Sequence, residues 1–514
     1  MVSAAASRRG FLGLAGALAA TAALGACEGE PGTGRAAAPR RGGTLSAAFP
    51  GFGARETMDP HVGRQFVDMA RHKAVFDKLV DLDDRLRPVP RLAERWQSNA
   101  DLTVWRFTLR SARFHDGRPL TADDVLFTLA RILDPSSAER LAKSSLSLID
   151  LGRSRAVGTR TVELALHRPH AELPSLLAFT GTSVVSSRYR DPARPVGTGP
   201  FRFGSFTPGR EFTGHRFDGH WGGAAHLDRV RILSAESEAR TNALRAGETD
   251  YAHEVNATFA RTVTPGSGLR IVSAPHGGIE GLLLKTDRPP FDDPEAALGL
   301  KLLADRPRLV DVVLGGRGAV ANDMYGKGFA YYPDGVPQRE RDVSEAKRLL
   351  RRSGALNRKL TLYTSTAAGS FVGAAHLFAQ QAADAGLRIT VTTGPPETYF
   401  TDILRTGTLT SHRSGAMPIP SYLAERLLSD APQNATAWHH KDFDRDFLAA
   451  QSTRDTAERT RRYGALQRRL RDTGGELLWG QSDWLNAVST RLHGVAAAPP
   501  NTVDWARFDT VWLA

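Results

Sequence analysis

The chain has 514 residues, of which 41% are hydrophobic and 24% charged, with a formal net charge of +12. That length allows two or three domains with full cores, and the composition is that of a globular protein, neither disordered nor collagenous. The basic excess is mostly scattered arginine, with no stripe interleaved with aromatics, so nucleic-acid binding is not expected and weak attraction to an anionic membrane surface is. Past the N-terminus no uninterrupted apolar run could span a bilayer. The one cysteine, Cys27, can form neither an intrachain disulfide nor a thiolate metal cage.

The N-terminus reads as a targeting segment. Ser7-Arg8-Arg9-Gly10-Phe11-Leu12 resembles a twin-arginine export signal, with Arg8 and Arg9 as its pair, and a short Ala/Gly-rich apolar region follows. It ends at Leu24-Gly25-Ala26-Cys27, which is similar to a bacterial lipobox. That resemblance implies lipidation of Cys27, and two acyl chains hold a protein on a membrane where one does so marginally. Residues 28–41 are rich in Gly, Pro and Ala and read as a flexible tether.

The folded part opens with Gly42-Gly43-Thr44-Leu45 and an apolar strand to Phe49. Thr57-Met58-Asp59-Pro60-His61 carries an Asp-Pro turn signal, and Ala74 to Leu82 reads as a helix end or strand. Thr103 to Arg110 alternates as a half-buried strand, Phe114-His115-Asp116-Gly117 suits a tight bend, and Thr121 caps a helix with Asp123 and Asp124 in its first turn. Thr161 to Leu166 alternates again. Pro195-Val196-Gly197-Thr198-Gly199-Pro200-Phe201 leads into a strand and lacks the Gly-Lys-Ser/Thr ending of a phosphate loop. A helix from Ala239 stops at Gly247, with a strand end expected at Val255-Asn256 and a flexible crossing at Pro275 to Gly278. A helix 344–354, a strand 360–364, a helix 376–385 and a strand 387–391 are expected. This rhythm argues a mixed α/β lobe.

Chemical motifs are sparse. His215, His220 and His226 have no carboxylate or thiol at ligand spacing, so no metal is expected there. No Gly-x-Ser-x-Gly elbow, His-Glu-x-x-His helix or Walker loop occurs. No catalytic residue and no cofactor is therefore assigned. Only His439, His440 and Asp444 suggest a hydrolase as an alternative, and a sensor or scaffold lipoprotein without transport is a second.

The run from Arg91 to Pro135, "LAERW…WRFTLR…RFHDGRPLTADDVLFTL…DP", resembles the signature of the family 5 extracellular solute-binding proteins, the oligopeptide-, dipeptide- and nickel-binding receptors of ABC importers. Pro195–Phe203 is similar to that family's "PVGTGPY" motif, Met58-Asp59-Pro60-His61 to its "LDPH" element, and His215–Ile232 to its "dYWgG…LDRV" turn and strand. The resemblance extends from Gly42 to about Gly494 and is loosest over Ala297–Asp446. It implies a helix pair over Ala297–Gly318, helices at 442–448 and 459–470, and an α/β, two-lobed periplasmic-binding-protein type II fold with an extra subdomain in the first lobe. The implied division is 1–27 export signal, 28–41 tether, 42–54 with 183–281 and 489–514 as lobe I, 55–182 the added subdomain, and 282–488 lobe II. A peptide or other small molecule would bind between lobes that close on a hinge, in a monomer that then docks on ABC permease and ATPase subunits.

The implied ligand residues are Met58, Asp59, His61, Asn256, Arg413, Ser414, Gly415, Ala416 and Met417. Peptide-binding members carry a stretch resembling "W-x-a-D-y-x-x-P-x-x-fL", whose Asp pairs with the ligand's α-amino group. Anchoring on Pro420, Tyr422 and Leu423 puts Ala416 at that Asp and Arg413 at the Trp. An ammonium left unpaired in a closed site carries a desolvation cost of several kcal/mol, and a nearby guanidinium favours an anion. The expectation is therefore a blocked, modified or anionic ligand. The alternative is that Arg413 points to solvent and another acid, such as Glu397 or Asp402, replaces the missing one.

Overall fold

Two long antiparallel strands, Leu269–Leu284 and Glu476–Ser489, run through the middle of the main sheet. This computed structural model describes residues 38–514 apart from 52, 64 and 432. Arg8, Arg9 and Cys27, and with them the export and lipidation expectations, lie outside the described residues. The central pair joins two half-sheets into one of eleven strands. On one side follow Tyr251–Ala252, Thr44–Phe49, Arg229–Ser234, Glu211–Arg216 and Phe201–Thr207. On the other follow Leu409–Gly415, Leu360–Ser365 and Ile389–Gly394, the last two joined by a helical crossover as parallel neighbours. The expected crossing at Pro275–Gly278 is a bulge inside the first long strand. Its register shifts between Ala274 and Gly278, and a side chain on Gly277 would collide with Trp484.

A separate four-stranded antiparallel sheet holds Ala93–Ser98, Val104–Leu109, Thr161–Leu166 and Ile149–Ala156. Its second strand alternates as expected, with Trp105, Phe107 and Leu109 inward and Arg106 outward. The helix Ala122–Leu133 lies against this sheet through Val125, Leu129 and Ile132. Thr121 and Asp124 close a capping box at its start, so two of the free N–H groups of the first turn are satisfied.

The two strongest sequence motifs meet. The His115 N–H donates to the Gly197 carbonyl at 2.9 Å, the Gly197 N–H donates to His115 Nδ1, and His115 Nε2 donates to the Gly199 carbonyl at 2.9 Å. Burial lowers the His115 pKa to about 4, so the neutral ring that this bonding needs is the stable one. Gly197 and Gly199 lie against the backbone at Val75. A Cβ on Gly197 would stand 2.0 Å from the Val75 oxygen, so no side chain fits. Asp77 sits beneath both motifs and accepts from Arg91 Nη2 at 2.8 Å, Thr198 Oγ1 at 3.0 Å and Trp221 Nε1 at 2.9 Å. Arg91 and Arg110 both lie over the Trp221 ring. The signature residues are thus a packing hub.

The apolar core forms several clusters. One gathers Leu45, Phe49, Phe201, Ile232, Val488 and Trp505. A second gathers Leu300, Leu309, Leu362, Phe378 and Trp479. A third runs from the four-stranded sheet into Tyr325, Tyr422, Phe443 and Tyr463, so the sheet's core is continuous with residues far along the chain. Helices expected from Gly stops are present as Val343–Arg352 before Gly354 and Phe371–Ala383 before Gly386. In the helix Arg306–Leu314, Pro307 occupies the first turn, where its missing N–H does no harm. Among the described residues no helix is long and apolar enough to cross a membrane.

Candidate functional site

A cavity of about 820 Å³ opens between two walls that are far apart in sequence. One wall comes from Phe66, Met69, Leu82, the Leu141–Leu148 turn and the 167–180 segment; the other comes from Ser414–Pro418, Ala424–Arg426, Leu428 and the Phe447–Gln451 end of a helix. The volume is that of a small-molecule or short-peptide site, and most of its lining is apolar, which suits a site that gains from excluding water.

The second wall is held rigidly. Tyr325 stacks on Tyr422 with ring centroids 3.7 Å apart. Its hydroxyl accepts from the Met417 N–H at 2.8 Å and donates to the Gly415 carbonyl at 2.9 Å, which fixes the 415–417 turn at the cavity face. Tyr422 donates to Glu476 at 2.6 Å, and burial pushes that carboxyl up to about 7. Pro418 begins the helix Ile419–Arg426, whose last turn delivers Glu425 and Arg426 to the cavity.

The walls are tied together at one end. The Ala171 N–H donates to the Gln451 carbonyl at 2.8 Å, and Arg168 donates to Gln451 Oε1 at 2.9 Å. Glu172, buried, accepts from Tyr331 at 2.7 Å and pairs with Arg459 at 2.8 Å.

Of the residues singled out from the sequence, Ser414, Gly415, Ala416 and Met417 line this cavity. The others do not stand among its lining residues. Met58 is packed in the core. Asp59 pairs with Arg131 at 2.6 Å and Arg140 at 2.7 Å; burial alone would raise its pKa, but those guanidiniums outweigh it and hold the carboxyl well below the usual range. His61 is fully buried, donates to the Ser183 carbonyl at 2.9 Å and is kept neutral by that burial, its pKa lowered to about 3. Together they bolt the 57–61 turn onto the Ala122–Leu133 helix and Ser183. Asn256 does not end a strand: that strand is Tyr251–Ala252, and Asn256 caps the helix Ala257–Thr262 by accepting the Phe259 N–H at 2.8 Å.

Arg413 is the main revision. It stands opposite Glu280 in the strand pairing, reaches Glu254 at 2.9 Å and Glu280 at 3.5 Å, and lies over the Trp484 ring. Two carboxylates neutralise it, so it is not the open cation on which the expected repulsion of an ammonium rested. Asp402 is exposed and away from the cavity. His439 donates to the Ser429 carbonyl at 2.8 Å, Asp444 accepts the Ser429 N–H at 3.0 Å and His440 packs beside Trp438. They brace a loop rather than face the cavity. Of the three histidines read for metal, His220 lies 3.7 Å from the Asp77 carboxylate, and among the described residues His215 and His226 have no carboxylate within 4 Å of a ring nitrogen.

Sequence reasoning missed Glu425, Arg426, Arg168 and the 141–148 turn. Glu425 followed by Arg426 inside a short amphipathic helix looks like any solvated helix face.

A family model described as "Bacterial extracellular solute-binding proteins, family 5 Middle" matches residues 87–433. The glutathione-binding protein GsiB of Escherichia coli strain K12 is 25% identical over 478 residues, covering 88% of this chain and 90% of its own. The peptide transport periplasmic protein SapA of Salmonella typhimurium strain LT2 is 26% identical over 477 residues, covering 84% and 86%. Among solved structures, the ABC transporter substrate binding protein CtaP of Listeria monocytogenes shares the fold with a TM-score of 0.82 at 22% identity, over 92% of this chain and 100% of that one.

Proposed function

The chain belongs to the bacterial extracellular solute-binding proteins of family 5, and we propose that it captures a peptide or peptide-like solute in the 820 Å³ cavity and delivers it to an ABC permease. The fold is the mixed α/β periplasmic-binding-protein type II fold. Ligand class and transport role rest on likeness to relatives whose names state glutathione binding and peptide transport. The observation that carries the reading is the cavity: apolar, large, and bounded by walls from opposite parts of the chain.

The mechanism is binding without bond-making. The 42–54, 183–281 and 489–514 segments form one lobe, 55–182 its added subdomain and 282–488 the other lobe. The long strand pair with its bulge at 275–277 is the hinge. A ligand held by both walls stabilises the closed arrangement by its differential contacts, and opening at the permease releases it. Ser414, Gly415, Ala416 and Met417 form the ligand-facing turn. Met58, Asp59 and His61 support the first wall from behind, and Asn256 and Arg413 act at the hinge side. The protein works as a monomer, without catalysis, tethered to the outer face of the cell membrane by a lipid on Cys27 after export through the Arg8-Arg9 signal.

Mass spectrometry of small molecules released by denaturing the purified protein tests this reading. Peptides or amino-acid conjugates in the released pool support it; a pool of metal chelates or sugars without them would overturn it.

A further inference from the structure

Two neighbouring charges of the cavity wall, Glu425 and Arg426, feel one another but form no salt bridge with each other or with any other described residue. Glu425 lines the cavity, half-buried, and its carboxylate accepts no hydrogen bond from any described residue. Its neighbour Arg426 lines it too. Arg426 lies over the Tyr422 ring, its Nε is buried without a hydrogen-bond partner, and it forms no ion pair among the described residues. At the mouth, Arg168 faces the same space with the uncharged Gln451 as its side-chain partner. His170, 1% exposed, adds a buried Nε2 with no partner; its Nδ1 already accepts the Glu172 N–H, so Nε2 carries the proton and can donate. Elsewhere this protein pairs its buried charges closely, as at Arg306 with Asp323 or Arg71 with Glu56. Water reaches the exposed Arg168 and the half-buried Glu425 and Arg426 while the cavity is open, and closure on a ligand would strip it from them, so a ligand that supplies partners to these groups is favoured.

From this charge pattern, and resting on the reading of the cavity as the solute site, we propose that the ligand is a small acidic peptide or peptide conjugate with one ammonium and two carboxylates. Glu425 receives the ammonium, in the last turn of the Ile419–Arg426 helix, where the helix dipole also favours a cation. Arg426 receives one carboxylate, for which its planar fork is suited, and the Arg168 rim receives the second. His170 donates to a ligand oxygen. Glu425 thereby takes the part that Ala416 cannot, from the opposite end of the helix that follows Ala416.

Calorimetry at low salt tests this with tripeptides of matched size: Ala-Ala-Ala, Ala-Glu-Ala, Ala-Lys-Ala and N-acetyl-Ala-Glu-Ala. Ala-Glu-Ala should bind at least about tenfold more tightly than Ala-Ala-Ala, with Ala-Lys-Ala weakest. Glu425→Gln should remove the penalty of N-acetylation, and Arg426→Gln or Arg168→Gln should remove the preference for the acidic peptide. Circular dichroism and thermal melting should show the Glu425→Gln and Arg426→Gln proteins folded, so that lost discrimination is read as lost charge. Equal binding of acidic and neutral peptides, or Glu425→Gln indifferent to acetylation, overturns the charge assignment and leaves the cavity reading standing. Failure of every peptide to bind the wild type overturns the peptide reading itself, and this assignment with it.

Discussion

Replacing Asp77 by Ala tests whether the signature motifs are a packing hub. Asp77 is 4% exposed and accepts from Arg91, Thr198 and Trp221. Burial by itself would raise its pKa, yet the Arg91 charge and the surrounding donors hold the carboxyl far below the usual range, so the ion is strongly favoured in the folded state. Removing it strands Arg91, itself 8% exposed, and orphans the buried Thr198 hydroxyl and the half-buried Trp221 N–H. Breaking a buried pair costs about 3–5 kcal/mol, and an orphaned donor about 1–3 kcal/mol. These do not add, because the groups form one network, and Asp81 partly compensates Arg91. The expected loss is therefore about 3–5 kcal/mol, or a fall in the main thermal transition of roughly 5–10 °C. Asp77→Asn keeps the volume and one acceptor and should lie at the low end. Urea unfolding followed by tryptophan fluorescence gives the free energy, and His439→Ala, a loop brace, serves as the comparison. A loss below about 1 kcal/mol for Asp77→Ala would refute the hub.

Three further outcomes are expected. Glu476 keeps its proton to about pH 7 in the folded protein, whereas the unfolded chain releases it near the ordinary 4.5. The folded state thus binds more protons in that window, and this group removes about 3 kcal/mol of stability as pH rises through it. Glu476→Gln should therefore gain on the wild type between pH 5 and pH 8 in denaturant titrations, and a pH-independent difference would contradict the burial argument. Cys27→Ser should shift the protein from membrane to soluble fractions after a high-salt wash, and a variant that stays with the membrane would show that Cys27 is not the anchor. Ligand should lower the radius of gyration in small-angle scattering, with no change counting against hinge closure.

Local structure was legible where chemistry is local. Alternation at Trp105, Phe107 and Leu109, the Thr121 cap and the glycine stops at 354 and 386 each act within a turn or two, and each appears where expected. The Phe371–Ala383 helix begins five residues before the expected His376, with Phe371 and Ala374 buried in its first turn, packing that outweighs the poor helix propensity of Gly373 between them. The role of Asp77 is not legible in the sequence, since its partners Thr198 and Trp221 lie 121 and 144 residues away. Arg413 looked free for the same reason: Glu254 is 159 residues distant and meets it only through the sheet. The turn 414–417 was found through its likeness to a family stretch, but Glu425 and Arg426 gain their meaning from Leu141, Phe179 and Arg168 across the cavity, a pairing that no window of sequence displays.

The central claim is that solute is held in the cavity between the 66–180 and 414–451 segments. Gly415 lines the cavity and a Cβ added there would meet nothing within 4 Å, so Gly415→Trp fills the cavity from the fixed 415–417 turn with no charge altered. Affinity selection of a di- to pentapeptide library, read by mass spectrometry, measures the effect directly. Wild-type protein should retain a subset of the library, and Gly415→Trp, folded by circular dichroism, should retain none of it. Retention of the same peptides by the variant at wild-type levels would contradict the central claim.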